Sequence, residues 1–199
     1  MSPEDFKKIL LTKSAEDIVA EHITTPDPGP HLSTIALDFL SSQARVAFQL
    51  KPEQQLSPLV VGSAKLGFSI VEKRKPNATF KPRYRNYDPN HSDIDVAIVS
   101  PALYGKIWSG LARHGANQRY FPWESKLGTY MYHGWIRPDK FPEPPPQQCL
   151  DWRKFMYQMN SSKYFQYRKL RCAIYHSIYF LNLYQTRGVL DAKNAEIII

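Results

Sequence analysis

Two aspartates with one residue between them, Asp93 and Asp95, stand at the start of an apolar run that is typical of a buried β-strand. In an extended strand alternate side chains point to the same side, so both carboxylates are expected on one face and Ile94 on the other. Two carboxylates held this close repel each other, and burying an unpaired charge is costly. A divalent cation such as Mg²⁺ or Mn²⁺ removes the conflict, because it binds carboxylates together with phosphate oxygens. The pair therefore predicts a metal site, although ordinary turn chemistry also accounts for a Ser-Asp-x-Asp sequence.

A glycine–serine pair ends a second apolar run, at residues 57–62. Gly62 lets the backbone approach an anion closely, and the N–H groups that follow it are available as donors. Ser63 adds a hydroxyl donor, Lys65 adds a positive charge and Gly67 allows another close approach. The spacing is neither that of the P-loop nor that of the dinucleotide-binding motif, so this stretch alone is a weak signal. Combined with the aspartate pair it is a more specific one.

Taken together, the two motifs resemble the signature of the nucleotidyltransferase superfold, which includes DNA polymerase beta, poly(A) polymerases and minimal nucleotidyltransferases of bacterial toxin–antitoxin and defence loci. The residues that carry the resemblance are Gly62, Ser63, Gly67, Ser92, Asp93, Ile94 and Asp95, followed by VAIVS. The resemblance covers mainly residues 57–100. It implies that the Gly-Ser turn grips a triphosphate and that the aspartates hold one or two metal ions for an in-line displacement. The nucleotide-binding residues that it implies are Gly62, Ser63, Lys65 and Ser92.

A third carboxylate, acting as general base, normally lies on a following strand in this superfold. The matching strand is predicted at residues 128–137, and it contains no acid. His133 is the proton acceptor there, with an unperturbed pKa of about 6.5 that suits a base. A hydrogen-bonded structural histidine is the other interpretation of His133. Asp139, just after Pro138, is a further candidate if the chain curls back.

A basic segment, residues 72–91, separates the two motifs and is predicted to be a loop. Two interpretations stay open: a clamp on nucleic acid or a triphosphate, and an insertion without a binding role. Phe80, Tyr84 and Tyr87 are candidates either to stack on bases or to pack the loop down. The net charge is +8, and the stretch 65–85 is strongly basic. Such a surface attracts nucleic acid, or it simply keeps the protein solvated.

The elements that must position these residues follow from periodicity and turn signals. We expect one α/β (α+β) domain, residues 1–199, with a nucleotidyltransferase fold in which helices and a long C-terminal helix flank a small mixed sheet. The strands are predicted near 57–62, 94–100 and 128–137. The segments are an N-terminal helical part at 1–55, the core at 56–140 and a C-terminal helical part at 149–199. In the last part a stripe at helical spacing is interpreted as a packing face: Tyr164, Tyr167, Ile174, Ile178 and Leu181.

Bulk properties narrow the class of protein. Cys149 and Cys172 form neither a disulfide framework nor a metal-binding spacing, which fits a reducing compartment. The N-terminus contains acids and is not a secretory signal. No window approaches the roughly 18 consecutive apolar residues of a membrane span. We therefore expect a cytoplasmic protein without a membrane partner.

The leading interpretation is a metal-dependent nucleotidyltransferase that moves a nucleoside monophosphate from an NTP to a protein, RNA or nucleotide acceptor, in a bacterial defence or toxin–antitoxin setting. Its predicted catalytic residues are Asp93, Asp95 and His133, with the two aspartates as ligands of Mg²⁺ or Mn²⁺. The alternative is a catalytically degenerate module of the same fold that binds a nucleotide, a nucleic acid or a protein partner. The missing third acid favours that alternative. Three further cations either touch phosphate or face solvent: Arg168, Lys169 and Arg171.

Overall fold

Four strands of mixed orientation form one sheet in the computed structural model, which describes residues 1–72, 80–117, 124–141 and 144–197. The strands are β1 (Ser57–Val61), β2 (Ile94–Val99), β3 (Trp135–Ile136) and β4 (Leu170–Tyr175). Their order across the sheet is β1, β2, β4, β3. β2 is antiparallel to β1 and parallel to β4, and β3 is antiparallel to β4. The α+β class and the small mixed sheet are thus as the sequence predicts.

Helices cover both faces of this sheet. The α-helices of the described ranges are α1 (Pro3–Thr12), α2 (Ala15–Ile18), α3 (Thr34–Phe48), α4 (Ser63–Leu66), α5 (Pro101–Ala116), α6 (Glu124–Tyr132), α7 (Gln147–Asn160) and α8 (Ile178–Ile197). A π-helix (Val19–Ile23) and two 3₁₀-helices (Pro138–Lys140 and Lys163–Phe165) complete the helical structure of these ranges. The long C-terminal helix and the helical N-terminal part are confirmed.

β2 is buried on both faces because its residues alternate between two apolar clusters. Ile94, Val96 and Ile98 belong to a cluster that also contains residues of α3, α5 and α7. Ala97 and Val99 belong to a second cluster, with residues of α1, α2 and α8. Removing apolar surface from water contributes roughly 25 cal/mol for each Å² buried, so both clusters hold the strand in place. The direction of the polar residues at the start of β2 is fixed as a result.

The strand predicted at residues 128–137 is wrong over most of its length, because α6 occupies its first half and β3 only two of its residues. Aromatic residues favour strands, but Leu127 is buried and gives α6 an apolar side. Gly134 then reverses the chain in the left-handed conformation, with a φ of 64°. A Cβ on Gly134 would lie 2.1 Å from the ring of Phe180, so no other residue fits at this turn.

The C-terminal part at 149–199 is not wholly helical, because it contains β4. Leu170, Cys172 and Ile174 pack into the first apolar cluster, whereas Arg171 lies between them on the opposite face. This alternation has the period of a strand. The stripe interpreted as a helical packing face instead crosses a 3₁₀-helix, β4 and α8, so that prediction is wrong.

Candidate functional site

Asp93 and Asp95 lie on one face of the sheet, on either side of the fully buried Ile94. Asp95 is the second residue of β2 and pairs in register with Val61 on β1 and with Arg171 on β4. Because residues that pair across strands share a face, Asp95 and Arg171 point to the same side of the sheet. Arg171 also contacts Asp93, so both aspartates are close to the same arginine on this face of the sheet.

Gly62 is next to Asp95. It follows β1 directly and has a φ of 68° and a ψ of −148°, a conformation that side chains disfavour. A Cβ on Gly62 would lie 3.4 Å from Oδ2 of Asp95. Ser63 begins α4 immediately afterwards. The two halves of the sequence motif thus meet, with the glycine leaving open the space directly in front of the carboxylate.

Arg171 faces the aspartate pair from the neighbouring strand. Its Nε donates to Oδ2 of Asp93 at 2.6 Å, and both side chains remain partly exposed. The third carboxylate was expected on the strand predicted at residues 128–137, which contains no acid. In the structure the strand parallel to β2 is β4, and the residue of β4 opposite Asp95 is this arginine. A guanidinium therefore faces Asp95 from the neighbouring strand.

A second arginine–carboxylate pair lies beside the first. Arg137 donates from Nε and Nη2 to the two carboxylate oxygens of Asp139, at 3.2 and 2.6 Å. Burial opposes the charge on Arg137, but the hydrogen bonds and the charge of Asp139, together with the charge of Asp95, raise its pKa. Asp95 therefore lies within electrostatic reach of Arg137, and the chain does bring Asp139 back towards the aspartate pair.

Three cavities adjoin these charged residues. The Asp95 cavity has a volume of about 350 Å³ and is lined by Gly62, Asp95, Arg137 and Arg171, with Trp135, Tyr175, Tyr184 and Gln185 among the other lining residues. The β4-edge cavity, of about 250 Å³, shares Arg137, Arg171 and Cys172 with it and adds Asp139, Lys140, Lys169 and Asn160. The Asp93 cavity, of about 460 Å³, is lined by residues 89–93 and 167–169. The Asp95 cavity combines a charged end with an aromatic end, which suits a phosphate attached to an aromatic base.

All three cations whose direction the sequence leaves open reach these cavities. Arg171 pairs with Asp93, and Lys169 lines both the β4-edge cavity and the Asp93 cavity. Arg168 lines the Asp93 cavity too, but its Nη2 donates to the backbone oxygen of His31 at 2.5 Å. Arg168 therefore also holds the N-terminal part of the chain in place.

Lys65 is placed differently from the sequence expectation. Its side chain is 3% exposed, and its amine lies 3.8 Å from a carboxylate oxygen of Asp27. The amine donates to Oγ1 of Thr25 at 2.7 Å and to the backbone oxygen of Asp27. Burial lowers the pKa of Lys65, and the charge of Asp27 partly offsets this. Lys65 holds the 25–27 segment against α4, so its amine is committed to the protein itself.

His133 and Ser92 have structural contacts. His133 follows α6, its backbone N–H donates to the oxygen of Thr129, and its ring contacts Tyr132. It lines none of the three cavities. The backbone N–H of Ser92 donates to the oxygen of Asp88 at 2.8 Å and closes the turn that leads into β2. Ser92 thus ends the turn immediately before Asp93, and its nucleotide-binding role stays a prediction.

The aromatic residues of the basic segment are largely used inside the protein. The hydroxyl of Tyr84 donates to Glu196 on α8 at 2.7 Å. Tyr87 is 6% exposed, and its ring lies 4.5 Å from that of His31. Phe80 is 51% exposed. Tyr84 and Tyr87 therefore pack this segment down, and the basic residues at 73–75 lie outside the described residues.

The carboxylates of Asp93 and Asp95 are the candidate metal ligands at this site. Oxygen ligands suit Mg²⁺ and Mn²⁺, and Gly62 leaves room for a phosphate that would complete the shell. Arg171 takes one side of Asp93 and competes with a cation there. In the ranges that the structure describes, no group of three or more His, Cys, Asp and Glu side chains is arranged to hold a metal. Asp93 and Asp95 supply two carboxylate donors, so a divalent ion bound here would need its other ligands from phosphate and water.

Comparisons with models of protein families, with curated proteins and with solved structures found no match. Over the described ranges, no helix has both the length and the apolar character needed to cross a membrane.

Proposed function

We propose that this protein is a metal-dependent nucleotidyltransferase that binds a nucleoside triphosphate in the Asp95 cavity. The observation that carries the proposal is the position of Gly62 against the carboxylate of Asp95, with Arg171 opposite Asp95 on β4 and in contact with Asp93. The strand arrangement supports it, because β1 and β4 bring a glycine turn and a cation to either side of β2. A triphosphate needs this combination of close backbone approach and charge.

The Asp95 cavity and Asp93, which lines the neighbouring Asp93 cavity, have separate roles in this function. Asp93 and Asp95 would hold Mg²⁺ or Mn²⁺, which supplies charge to neutralise the phosphates and the departing pyrophosphate. Gly62 lets a phosphate approach the backbone, and Arg171 and Arg137 contribute positive charge on the opposite wall. Trp135 and Tyr184 form an aromatic surface on which the base stacks, and Gln185 beside them is placed to hydrogen-bond its edge.

The reaction transfers a nucleoside monophosphate to an acceptor oxygen. That oxygen forms a bond to the α-phosphorus while the bond from the α-phosphorus to the bridging oxygen of the β-phosphate breaks. Pyrophosphate leaves with the electron pair of the broken bond. The protein contributes mainly positioning and fixed charge, which are the dominant effects in phosphoryl and nucleotidyl transfer.

Label transfer from α-³²P-labelled nucleoside triphosphates tests the proposal. We expect transfer or pyrophosphate release with Mg²⁺ or Mn²⁺, and a loss of at least about 100-fold in the Asp93→Ala/Asp95→Ala variant, a loss typical of removing catalytic electrostatic groups. The matched control is Asp38→Ala/Glu53→Ala, which removes two exposed acids from other parts of the surface and should leave the rate unchanged. Equal rates in the aspartate variant and the wild type would contradict the proposal.

One observation favours a second candidate, a degenerate module that binds nucleotides without chemistry. Arg171 engages Asp93, and the segment in which a third acid was expected, residues 128–137, contains none. This candidate predicts nucleotide binding that depends on Arg171 and is accompanied by no release of pyrophosphate with any acceptor. The same labelled triphosphates distinguish the two, since a binding module retains them without converting them.

A further inference from the structure

The β4-edge cavity has the character of an anion site. Four cations line it, namely Arg137, Lys140, Lys169 and Arg171, against one carboxylate, that of Asp139. β3 pairs only with the last two residues of β4, so among the described residues no strand borders the outer side of the first half of β4, and the cavity opens there. The nucleotide of the proposed function occupies the Asp95 cavity and leaves this one unused.

The lining of the cavity strengthens the effect of these charges. Trp152, Met156, Leu170 and Cys172 form an apolar part of the wall. Charges beside an apolar wall interact more strongly than charges surrounded by water, because the local dielectric constant is lower. Two of the cations, Lys140 and Lys169, are exposed, and their side chains can turn towards a ligand. The cavity is large enough for a phosphate and part of what carries it.

The β4-edge cavity adjoins the site of the proposed reaction. It shares Arg137 and Arg171 with the Asp95 cavity, and Arg171 in turn contacts Asp93. A group bound in one cavity is therefore separated from a group in the other by a single layer of side chains. This is the relationship expected between an acceptor and the α-phosphate that it attacks.

The charges near Asp95 disfavour a hydroxyl as the attacking group. A hydroxyl nucleophile has to give its proton to a base. Here Asp93 accepts from Arg171 and Asp139 accepts from Arg137, so both carboxylates already have hydrogen-bond partners within the protein. A phosphate monoester needs no such base, because its second pKa is about 6 and it is largely a dianion at neutral pH.

We propose that the β4-edge cavity binds a phosphate monoester and that this group is the acceptor of the nucleotidyl transfer, an inference that rests on the proposed function. The monoester belongs either to a small phosphorylated metabolite or to the 5′ end of an oligonucleotide. A monoester oxygen forms the new bond to the α-phosphorus, and the bond from the α-phosphorus to the β-phosphate oxygen breaks. Pyrophosphate leaves with that electron pair, no proton passes to the protein, and the product contains a phosphoanhydride.

Binding of the monoester is measured first, without triphosphate or metal. Ribose 5-phosphate and a trinucleotide with a 5′-phosphate are titrated and followed by ³¹P NMR, with the 5′-hydroxyl trinucleotide as the unphosphorylated comparison. The variant is Lys140→Ala/Lys169→Ala, and the matched control is Lys8→Ala/Lys51→Ala, which removes two exposed lysines far from the cavity lining. We expect at least about tenfold weaker binding in the first variant and no change in the second, as for the loss of charge-assisted hydrogen bonds.

The two probes distinguish the sources of the monoester. Tighter binding of ribose 5-phosphate indicates a small metabolite, and tighter binding of the phosphorylated trinucleotide indicates a nucleic-acid end. Wild-type protein that binds neither, or that binds the 5′-hydroxyl trinucleotide equally well, overturns the inference. These wild-type titrations decide the matter even if the lysine variant fails to fold.

Turnover separates this inference from the function on which it rests. We expect the label to appear in a phosphoanhydride, with a KM for the monoester raised at least about tenfold in Lys140→Ala/Lys169→Ala and kcat little changed. Transfer to hydroxyl acceptors, with the same acceptor KM in Lys140→Ala/Lys169→Ala and in Lys8→Ala/Lys51→Ala, would contradict this inference. It would still support the proposed nucleotidyltransferase activity. If the monoester binds in a way that depends on the two lysines but no triphosphate is turned over, the anion site is supported and the nucleotidyltransferase function is contradicted.

Discussion

Each of the two aspartates has a neighbour that determines how a ligand can reach its carboxylate. Asp95 lies against Gly62, which has no side chain, and so it remains accessible to a ligand in the cavity. Asp93 is held by Arg171, which orients it and lowers the net negative charge of the pair. A divalent ion entering this site competes with a guanidinium for Asp93. In the proposed function, a metal ion would therefore bind best together with a phosphate, because the phosphate gives Arg171 a second partner.

The effect of Gly62 can be measured by replacing it with alanine. Its φ of 68° lies in a region that alanine disfavours, and the new Cβ would lie 3.4 Å from a carboxylate oxygen of Asp95. We expect Gly62→Ala to lower the free energy of unfolding by about 1–3 kcal/mol and to weaken triphosphate binding. Urea denaturation and a nucleotide titration measure the two effects.

Gly105→Ala is the matched control, because a Cβ there meets nothing within 4 Å and the residue lies inside α5. An alanine in a helix is favoured over glycine, so this variant should gain about 0.5–1 kcal/mol. A Gly62→Ala protein as stable as the wild type would show that the backbone at this turn adapts without cost.

Local alternation made the aspartate pair predictable, whereas the contact of Arg171 with Asp93 was not. The common face of Asp93 and Asp95 follows from the two-residue period of a strand, which is visible in a few adjacent residues. The position of Arg171 depends on which distant segment pairs with β2, and several candidate strands satisfy the sequence equally well. Register between strands distant in sequence is set by packing of the whole sheet, so the sequence named Arg171 among three candidate cations but did not show that it contacts Asp93.

At the level of elements, the two errors of prediction have the same cause. The stretch at 128–137 is rich in aromatic residues, and the stretch around β4 contains a run of apolar residues at spacings that also suit a helix. Short apolar runs do not distinguish a strand from a buried helix by periodicity. Gly134 was the available signal for the first, since a glycine in the left-handed conformation commonly ends a helix. For β4 the signal was the strict alternation of Leu170, Cys172 and Ile174.

The contact between α4 and the 25–27 segment gives a prediction about an element. Lys65→Met keeps the length of the side chain and removes the amine that binds Thr25 and Asp27. Because these partners then lose a buried donor, we expect the free energy of unfolding to fall by about 1–3 kcal/mol, measured by urea denaturation. Triphosphate affinity of the folded variant should change less than about twofold, since the amine is committed to the protein.

The control is Lys51→Met, which removes the amine of an exposed lysine. It should leave both stability and affinity unchanged. A Lys65→Met protein with unaltered stability and strongly reduced triphosphate affinity would restore the sequence-based assignment of Lys65 to the nucleotide.

For the whole molecule, the central sheet explains why the N-terminal and C-terminal parts cannot be separated from the core. α1, α2 and α8 pack together over one face of the sheet, and the hydroxyl of Tyr84 connects the basic segment to α8. Helices from both ends of the chain therefore help to bury β2. The sequence indicated helices at both ends of the chain but not that they pack against each other on the same face of the sheet. That packing depends on complementary surfaces rather than on local sequence pattern.

The two buried cysteines make the free energy of unfolding of the whole protein depend on pH in the alkaline range. Burial raises the pKa of Cys149 from 9.0 to about 12, and burial also raises the pKa of Cys172. Above about pH 9 the unfolded chain loses these thiol protons while the folded chain keeps them. The unfolded state then binds fewer protons, so the free energy of unfolding falls as the pH rises. Each cysteine contributes a slope of about 1.4 kcal/mol for each pH unit in this window.

Urea denaturation between about pH 9 and about pH 11, with a reductant present, measures this slope. Replacing Cys149 by alanine leaves a small cavity and lowers stability at every pH, but it should also reduce the slope by about 1.4 kcal/mol for each pH unit. Tyrosines and lysines titrate alike in the wild type and in Cys149→Ala. The difference between the two slopes therefore measures the contribution of the Cys149 thiol alone. Parallel curves for Cys149→Ala and the wild type would mean that the Cys149 thiol ionises as easily in the folded protein as in the unfolded chain.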